Sequence, residues 1–364
     1  MAVEKYSVII GTGSYIPERI VKNEDFHSHV FFEPNGKILD KPMKEITDKF
    51  EEITGIKERR YVTDDLTTSD ICYFAAEEAV KSSKTDPESL DYIICAHNFG
   101  DVRIGNRRSD LVPSIAARVK NKLGIVNPKT IAFDLPFGCP GWLQGVIHAD
   151  SFFKAGIAKR ALVIGGETLS RVSDPHDRDS MIYSDGAGAT ILEAQDTGGE
   201  AGILAHASRS DTKEHSVMLH MERSSNPDYP ENDLFLKMQG HKLYKYALQT
   251  VPELVKESID KAKLSIDNIK KVLLHQANEK MDVEILKRLY DLYGYKEIMN
   301  DFIKKVLPMS ISWLGNSSVA TIPTLLDLIL KGFFEGHNLK SKDIAVLASV
   351  GAGMNINSVV YKFP

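Results

Sequence analysis

Apolar residues recur along this chain in two rhythms, short unbroken runs and stretches of helical spacing, and the two alternate. Unbroken runs at residues 7–10, 90–96, 131–133, 162–164, 272–274, 344–348 and 356–363 predict strands, buried wherever no polar residue interrupts them. Helical spacing over 70–82, from Trp142 to Phe153, and over 244–262, 281–290 and 321–330 predicts helices. Pro323 falls in a first turn, where proline is tolerated. Gly11-Thr12-Gly13 reads as a tight turn, and residues 185–192 as a turn followed by a strand. Residues 23–45, with Pro34-Asn35-Gly36 and Pro42, read as a surface excursion; residues 97–113 read as a polar loop and 207–233 as a long insertion or linker. Strands alternating with helices imply an α/β fold with sheets covered on both faces.

The pattern repeats. The helix, turn and strand of residues 76–98 return at 254–278, an offset of about 180 residues. The turn at Cys139 has a counterpart near Gly315-Asn316-Ser317, and the strand at Leu162 one at Leu347, each followed by glycines. A period this long points to a duplicated domain, with an N-terminal half of residues 1–200 and a C-terminal half of residues 201–364. Equivalent strand ends would then converge on a central site.

Composition narrows the class. The chain has 364 residues, 43% hydrophobic and 26% charged, with net charge -5, as expected of a globular enzyme and giving no reason to expect nucleic-acid binding. Its three cysteines form neither a disulfide framework nor a metal pattern. The first residues lack the features of a signal peptide, and no apolar run approaches the roughly 18 residues that span a bilayer. A cytoplasmic location is expected.

Cys139 carries the sharpest chemical signal. It sits where a strand turns into a helix, with Pro140 in the first turn. The positive end of that helix favours thiolate over thiol. The competing reading is a buried, inert cysteine, the reading given to Cys72 and Cys95. His275 and Asn316 occupy matched strand or turn ends in the second half; alone, they read as a core histidine and a helix cap. Arg103, Arg107 and Arg108 suit either a solvated loop or contact with a phosphate or partner chain.

The Cys/His/Asn set, with Ile53-Thr54-Gly55-Ile56, Gly138-Cys139-Pro140-Gly141, Ser184-Asp185-Gly186-Ala187-Gly188-Ala189, residues 238–247, His275-Gln276-Ala277-Asn278, Gly315-Asn316-Ser317-Ser318 and Gly351-Ala352-Gly353, resembles the β-ketoacyl-acyl-carrier-protein synthase III family of the thiolase superfamily, nearly end to end. The resemblance implies a thiolase-like, five-layered α-β-α-β-α fold from two pseudo-symmetric halves, and a homodimer. It also implies acyl transfer from a thioester to Cys139, then decarboxylative Claisen condensation with a malonyl-type or β-ketoacyl carrier-protein thioester. Cys139 is the nucleophile, His275 and Asn316 the hydrogen-bond donors to the extender carbonyl, and the N–H groups of Cys139 and Gly353 the oxyanion hole. No metal or other cofactor is implied; acyl-carrier protein or coenzyme A thioesters are substrates. Val112 or Leu111 would reach the partner's acyl pocket, Met238 lines the substrate pocket, and Lys280 would meet the acidic carrier protein or stand as a solvated helix lysine.

Departures from the pattern matter. Lys49 and Ile53 stand where typical members carry the Trp and Arg that contact coenzyme A adenine, which leaves room for a carrier-bound donor. The small Val112 or Leu111, with the long 23–45 excursion, is similar to secondary-metabolite members, including those that make dialkylresorcinol lipids. Two other functions compete: a non-decarboxylating acyltransferase, and a non-catalytic partner subunit of a synthase heterodimer. His275 with Asn316 favours condensation over plain transfer, and an intact Cys139 argues against the non-catalytic subunit.

Overall fold

The computed structural model describes residues 5–198 and 201–364. The expected boundary between the halves adjoins residues 199–200, and the start of the N-terminal segment is residues 1–4; both stretches lie outside the described residues. The first half builds a five-stranded sheet from β1 (Tyr6–Tyr15), β2 (Tyr92–His97), β3 (Ile131–Pro136), β4 (Arg160–Thr168) and β5 (Asp185–Gln195), in the order β1-β5-β4-β2-β3. The second half builds a four-stranded sheet from β6 (Gly202–Ser210), β7 (Ile269–Leu274), β8 (Ile344–Gly351) and β9 (Asn355–Lys362), in the order β6-β9-β8-β7. The two orders match strand for strand. β2 runs parallel to β4 as β7 does to β8, β3 runs parallel to β2, and the remaining neighbours are antiparallel in both sheets. β3 has no counterpart in the second sheet among the described residues.

Helices α1 (Met43–Thr54), α2 (Thr68–Ser83), α3 (Ile115–Lys122), α4 (Gly141–Lys154), α5 (Gly240–Lys261), α6 (Glu279–Asp291) and α7 (Thr321–Leu330) supply the rest of the frame. Trp142, Leu143 and Val146 of α4 pack with Ile322, Leu325 and Leu326 of α7 between the two sheets. Alanines of α2 and Val119 of α3 cover the outer face of the first sheet, and Leu254 and Val255 of α5 with Leu286 of α6 cover the second. The layers are therefore helix, sheet, helix, sheet, helix, a thiolase-like α/β architecture. Burial on both faces explains why β2 and β4 read as continuous apolar runs. No helix among the described residues is long and apolar enough to cross a membrane.

Five expectations are corrected. Gly11 and Gly13 do not turn the chain; both lie inside β1. A Cβ on Gly13 would meet the Ala75 carbonyl at 2.3 Å, so these glycines let α2 press against the strand. The segment 23–45 is not a mere surface excursion, because Phe26 and Phe31 bury themselves against Phe50 and Met181. β3 is an edge strand with Ile131 exposed and Phe133 half-buried, not a buried strand. The polar loop contains a hairpin of Asp101–Arg103 and Asn106–Asp110. There Arg107 donates to the Arg171 carbonyl, pairs with Asp233 and covers the Phe235 ring, so it anchors the fold rather than an anion. The insertion likewise ends in a paired strand, Phe235–Met238, which leads into α5.

Candidate active site

Cys139 lies between β3 and α4, as its flanking pattern predicts. Pro140 is the residue before the helix rather than inside its first turn; α4 begins at Gly141, whose N–H returns to the Gly138 carbonyl at 2.9 Å. Gly138 has φ of 75° and packs on Ala352. A Cβ on Gly351 would sit 2.5 Å from the Cys139 nitrogen. The Gly351-Ala352-Gly353 turn, with Gly353 at φ of 74°, thus closes on the cysteine from the second half.

His275 continues the β7 ladder by donating its N–H to the Ala348 carbonyl at 2.9 Å. The two residues that flank the adjacent alanine explain the local motif. Gln276 is fully buried and accepts from the backbone N–H groups of Ser310 and Ile311, which pins the chain leading to Asn316. Asn278 caps α6 through the Met281 N–H. Asn316 is not a helix cap: its side-chain carbonyl accepts from the Ser318 N–H at 2.8 Å, leaving its NH2 free to donate elsewhere.

Ser318 joins the three expected residues. Its hydroxyl donates to Cys139 Sγ at 3.3 Å and accepts from Asn98 Nδ2 at 3.2 Å. Its carbonyl accepts from the Thr321 hydroxyl at 3.0 Å, and that hydroxyl oxygen lies 2.7 Å from His275 Nδ1. Ser318 reaches this position through a left-handed backbone, φ 53°. Behind Asn98 stands Glu167, which accepts from both the backbone and the side-chain N–H of Asn98. The motif reading gave no role to Ser318, Thr321, Asn98 or Glu167, although Ser318 lay inside the Gly315-Asn316-Ser317-Ser318 match, Asn98 at the end of the repeated segment 76–98 and Thr321 at the start of a predicted helix.

Burial dominates the electrostatics. It pushes the Cys139 thiol up to about 11, against the Ser318 hydrogen bond, which pulls it down. The expected thiolate preference of the helix end is therefore outweighed. Burial holds His275 neutral, lowering it to about 4, and raises Glu167 to about 7.

The remaining expected residues lie apart. Val112 and Leu111 sit on the surface of their own chain, 85% and 49% exposed. Met238 is half-buried beside Gly240. Lys280 opens the first turn of α6, 4.0 Å from Glu52, at an open depression of about 1190 Å³. Carboxylates of Asp48, Glu51, Glu52, Glu279 and Glu284 share that rim with Lys57, Lys280, Lys287 and Arg288, so its charge is mixed.

The 3-oxoacyl-[acyl-carrier-protein] synthase III family matches residues 133–212, and its C-terminal part matches residues 259–363. A β-ketoacyl-[acyl-carrier-protein] synthase III of Bradyrhizobium sp. strain BTAi1 is 30% identical over 361 residues, covering 98% of this chain and 99% of its own. The chain belongs to the 3-oxoacyl-[acyl-carrier-protein] synthase III family. Members of the synthase III family are acyl-transferring enzymes, and this chain is one of them. Solved synthase III structures agree in fold. The enzyme of Aquifex aeolicus superposes with TM-score 0.78 at 28% identity over 98% of this chain and 100% of its own. That of Thermus thermophilus gives 0.79 at 27% identity over 98% and 99%.

Proposed function

We propose that Cys139 carries an acyl group which is then extended by decarboxylative Claisen condensation with a malonyl-type carrier-protein thioester. The observation that carries this reading is Ser318, whose hydroxyl, N–H and carbonyl tie Cys139, Asn316 and the Thr321–His275 pair into one hydrogen-bonded set.

In the first step, Cys139 sulfur bonds to the acyl carbon, the carrier C–S bond breaks, and the thiol proton ends on the carrier sulfur. Because the thiol is high in the free protein, the proton leaves during attack rather than before it. The Cys139 and Gly353 N–H groups are assigned to the developing oxyanion. In the second step, the C–CO2 bond of the extender breaks. Its electron pair passes to the thioester oxygen, which accepts from His275 Nε2–H and the Asn316 NH2. The carbanion attacks acyl-Cys139, the sulfur departs as thiolate and regains a proton, and CO2 and a β-ketoacyl thioester leave. Decarboxylation needs a proton on His275 Nε2, so Nδ1 must be an acceptor at that moment. The Thr321 hydroxyl can supply that hydrogen, since the Ser318 carbonyl also receives the Thr321 N–H.

In this scheme residues 1–200 provide the nucleophile and residues 201–364 the two donors. Val112 or Leu111, exposed on its own chain, enters the acyl pocket of a second copy in a cytoplasmic homodimer. Lys280 receives the carrier protein. The test separates the steps. Cys139→Ala should abolish acyl loading, whereas Asn316→Ala should still load and lose CO2 release by about 100-fold. Equal loss of loading in both variants would contradict the division of roles.

A further inference from the structure

Glu167 stands behind the nucleophile and takes no part in the steps above. It follows Gly165 and Gly166 near the end of β4, and Asn98 follows the last residue of the neighbouring strand β2. A Cβ on Gly165 would lie 2.4 Å from the Val319 carbonyl oxygen, so this glycine lets the segment carrying Ser318 press onto β4 from the second half. Glu167 reaches that segment through one intermediary. Its Oε1 accepts from the Asn98 backbone N–H at 2.6 Å and from Asn98 Nδ2. The same Nδ2 donates to Ser318 Oγ at 3.2 Å, and Ser318 Oγ donates to Cys139 Sγ at 3.3 Å.

The direction of each bond follows from what each group carries. An ionised carboxylate only accepts, so the end of the Asn98 side chain that faces Glu167 is its NH2. One of those two hydrogens goes to Glu167 and the other to Ser318. A hydroxyl that accepts from Asn98 keeps its single hydrogen for another partner, and the sulfur is that partner. An Asn98 side chain turned the other way would offer Ser318 a carbonyl instead, and the hydroxyl hydrogen would leave the sulfur. Glu167 is 1% exposed, and burial raises it to about 7 against His97 and the two Asn98 bonds, with Asp185 adding to the rise. We propose that Glu167 is a positioning residue: acting through Asn98, it aims the Ser318 hydrogen at the Cys139 sulfur and so stabilises negative charge on that sulfur as it attacks. The inference rests on the acyl-enzyme reading for its purpose, but its effect is read on the free thiol.

The experiment follows iodoacetamide alkylation of Cys139, at its own peptide, by mass spectrometry across pH; thermal melts verify that every variant is folded. Asn98→Ala should alkylate about 2- to 4-fold more slowly at pH 8, the effect of one neutral hydrogen bond less the gain in intrinsic nucleophilicity, with the inflection of the pH–rate curve moved upward. The charge of Glu167 also raises the thiol directly, so Glu167→Gln and Glu167→Ala, which both lack it, are compared with each other. Glutamine keeps an acceptor for Asn98, and Glu167→Gln should alkylate about 2- to 4-fold faster than Glu167→Ala. In a Ser318→Ala background, where the sulfur has lost its donor, both differences should vanish. Equal rates for wild type and Asn98→Ala, equal rates for Glu167→Gln and Glu167→Ala, or differences that persist with Ser318→Ala overturn the inference and leave the acyl-enzyme intact. The expected rates together with no acyl loading of wild type would support the inference and overturn the acyl-enzyme reading alone.

Discussion

Replacing Ser318 with alanine removes a single hydroxyl, and the structure sets the size of the effect. That hydroxyl donates to Cys139 Sγ at 3.3 Å and is the side-chain contact that holds the thiol down against burial. A hydrogen bond to a charged group contributes about 1.5–3 kcal/mol, so Ser318→Ala should raise the thiol by about one to two pH units. Well below the thiol's value of about 11, the thiolate fraction then falls by roughly 10- to 100-fold. A more basic thiolate is intrinsically more nucleophilic, with a Brønsted coefficient of about 0.4–0.5, which recovers part of the loss. The net expectation is that iodoacetamide alkylates Cys139 about 3- to 10-fold more slowly at pH 8, with the inflection of the pH–rate curve moved upward. The neighbouring strain is unchanged, because alanine meets the same left-handed backbone that serine already tolerates. An unchanged or faster alkylation rate would refute the claim that Ser318 tunes the nucleophile.

Three further outcomes follow from the same geometry. Thr321→Val removes the partner of buried His275 Nδ1 and should slow decarboxylation about 5- to 150-fold in a CO2-release assay, with Asn316 unaltered; an unchanged rate would remove Thr321 from the mechanism. Asp282 is buried on α6 with neither carboxylate oxygen hydrogen-bonded among the described residues, and burial raises it well above the ordinary range. The folded protein then keeps a proton that the unfolded chain loses, so wild-type stability falls as pH rises above the ordinary carboxylate range. Asp282→Asn should remove that slope, gaining more stability at pH 8 than at pH 5 in urea melts; parallel pH profiles would contradict this. Gly13→Ala should destabilise the fold by about 2–3 kcal/mol in the same assay, since its Cβ would collide with the backbone of α2.

The strand ends bearing Cys139 and His275 were legible because apolar runs stop there and turn chemistry begins. The duplication was legible for the same reason, and it survives in the matched order of the two sheets. What composition hides is contact. Ser318 and Cys139 are 179 residues apart in sequence, and no local pattern announces that a hydroxyl from one half will meet the sulfur of the other. Gly11 and Gly13 show a second limit, because a glycine that permits close packing looks the same in sequence as one that permits a turn. Ile131 shows a third. An apolar run predicts a strand, but not whether another strand lies beyond it. The helix-end argument for Cys139 failed on magnitude, since it weighed a terminal dipole without the burial that opposes it.

The central claim is that Cys139 holds an acyl group until an extender removes it. Intact-protein mass spectrometry tests it directly, with an acyl thioester added first and malonyl-carrier protein second. The account predicts an acyl mass gain that is absent in Cys139→Ala, persists in buffer, and disappears with the extender as a β-ketoacyl thioester forms. An adduct that leaves without extender, or none from any coenzyme A or carrier-protein donor, would contradict it.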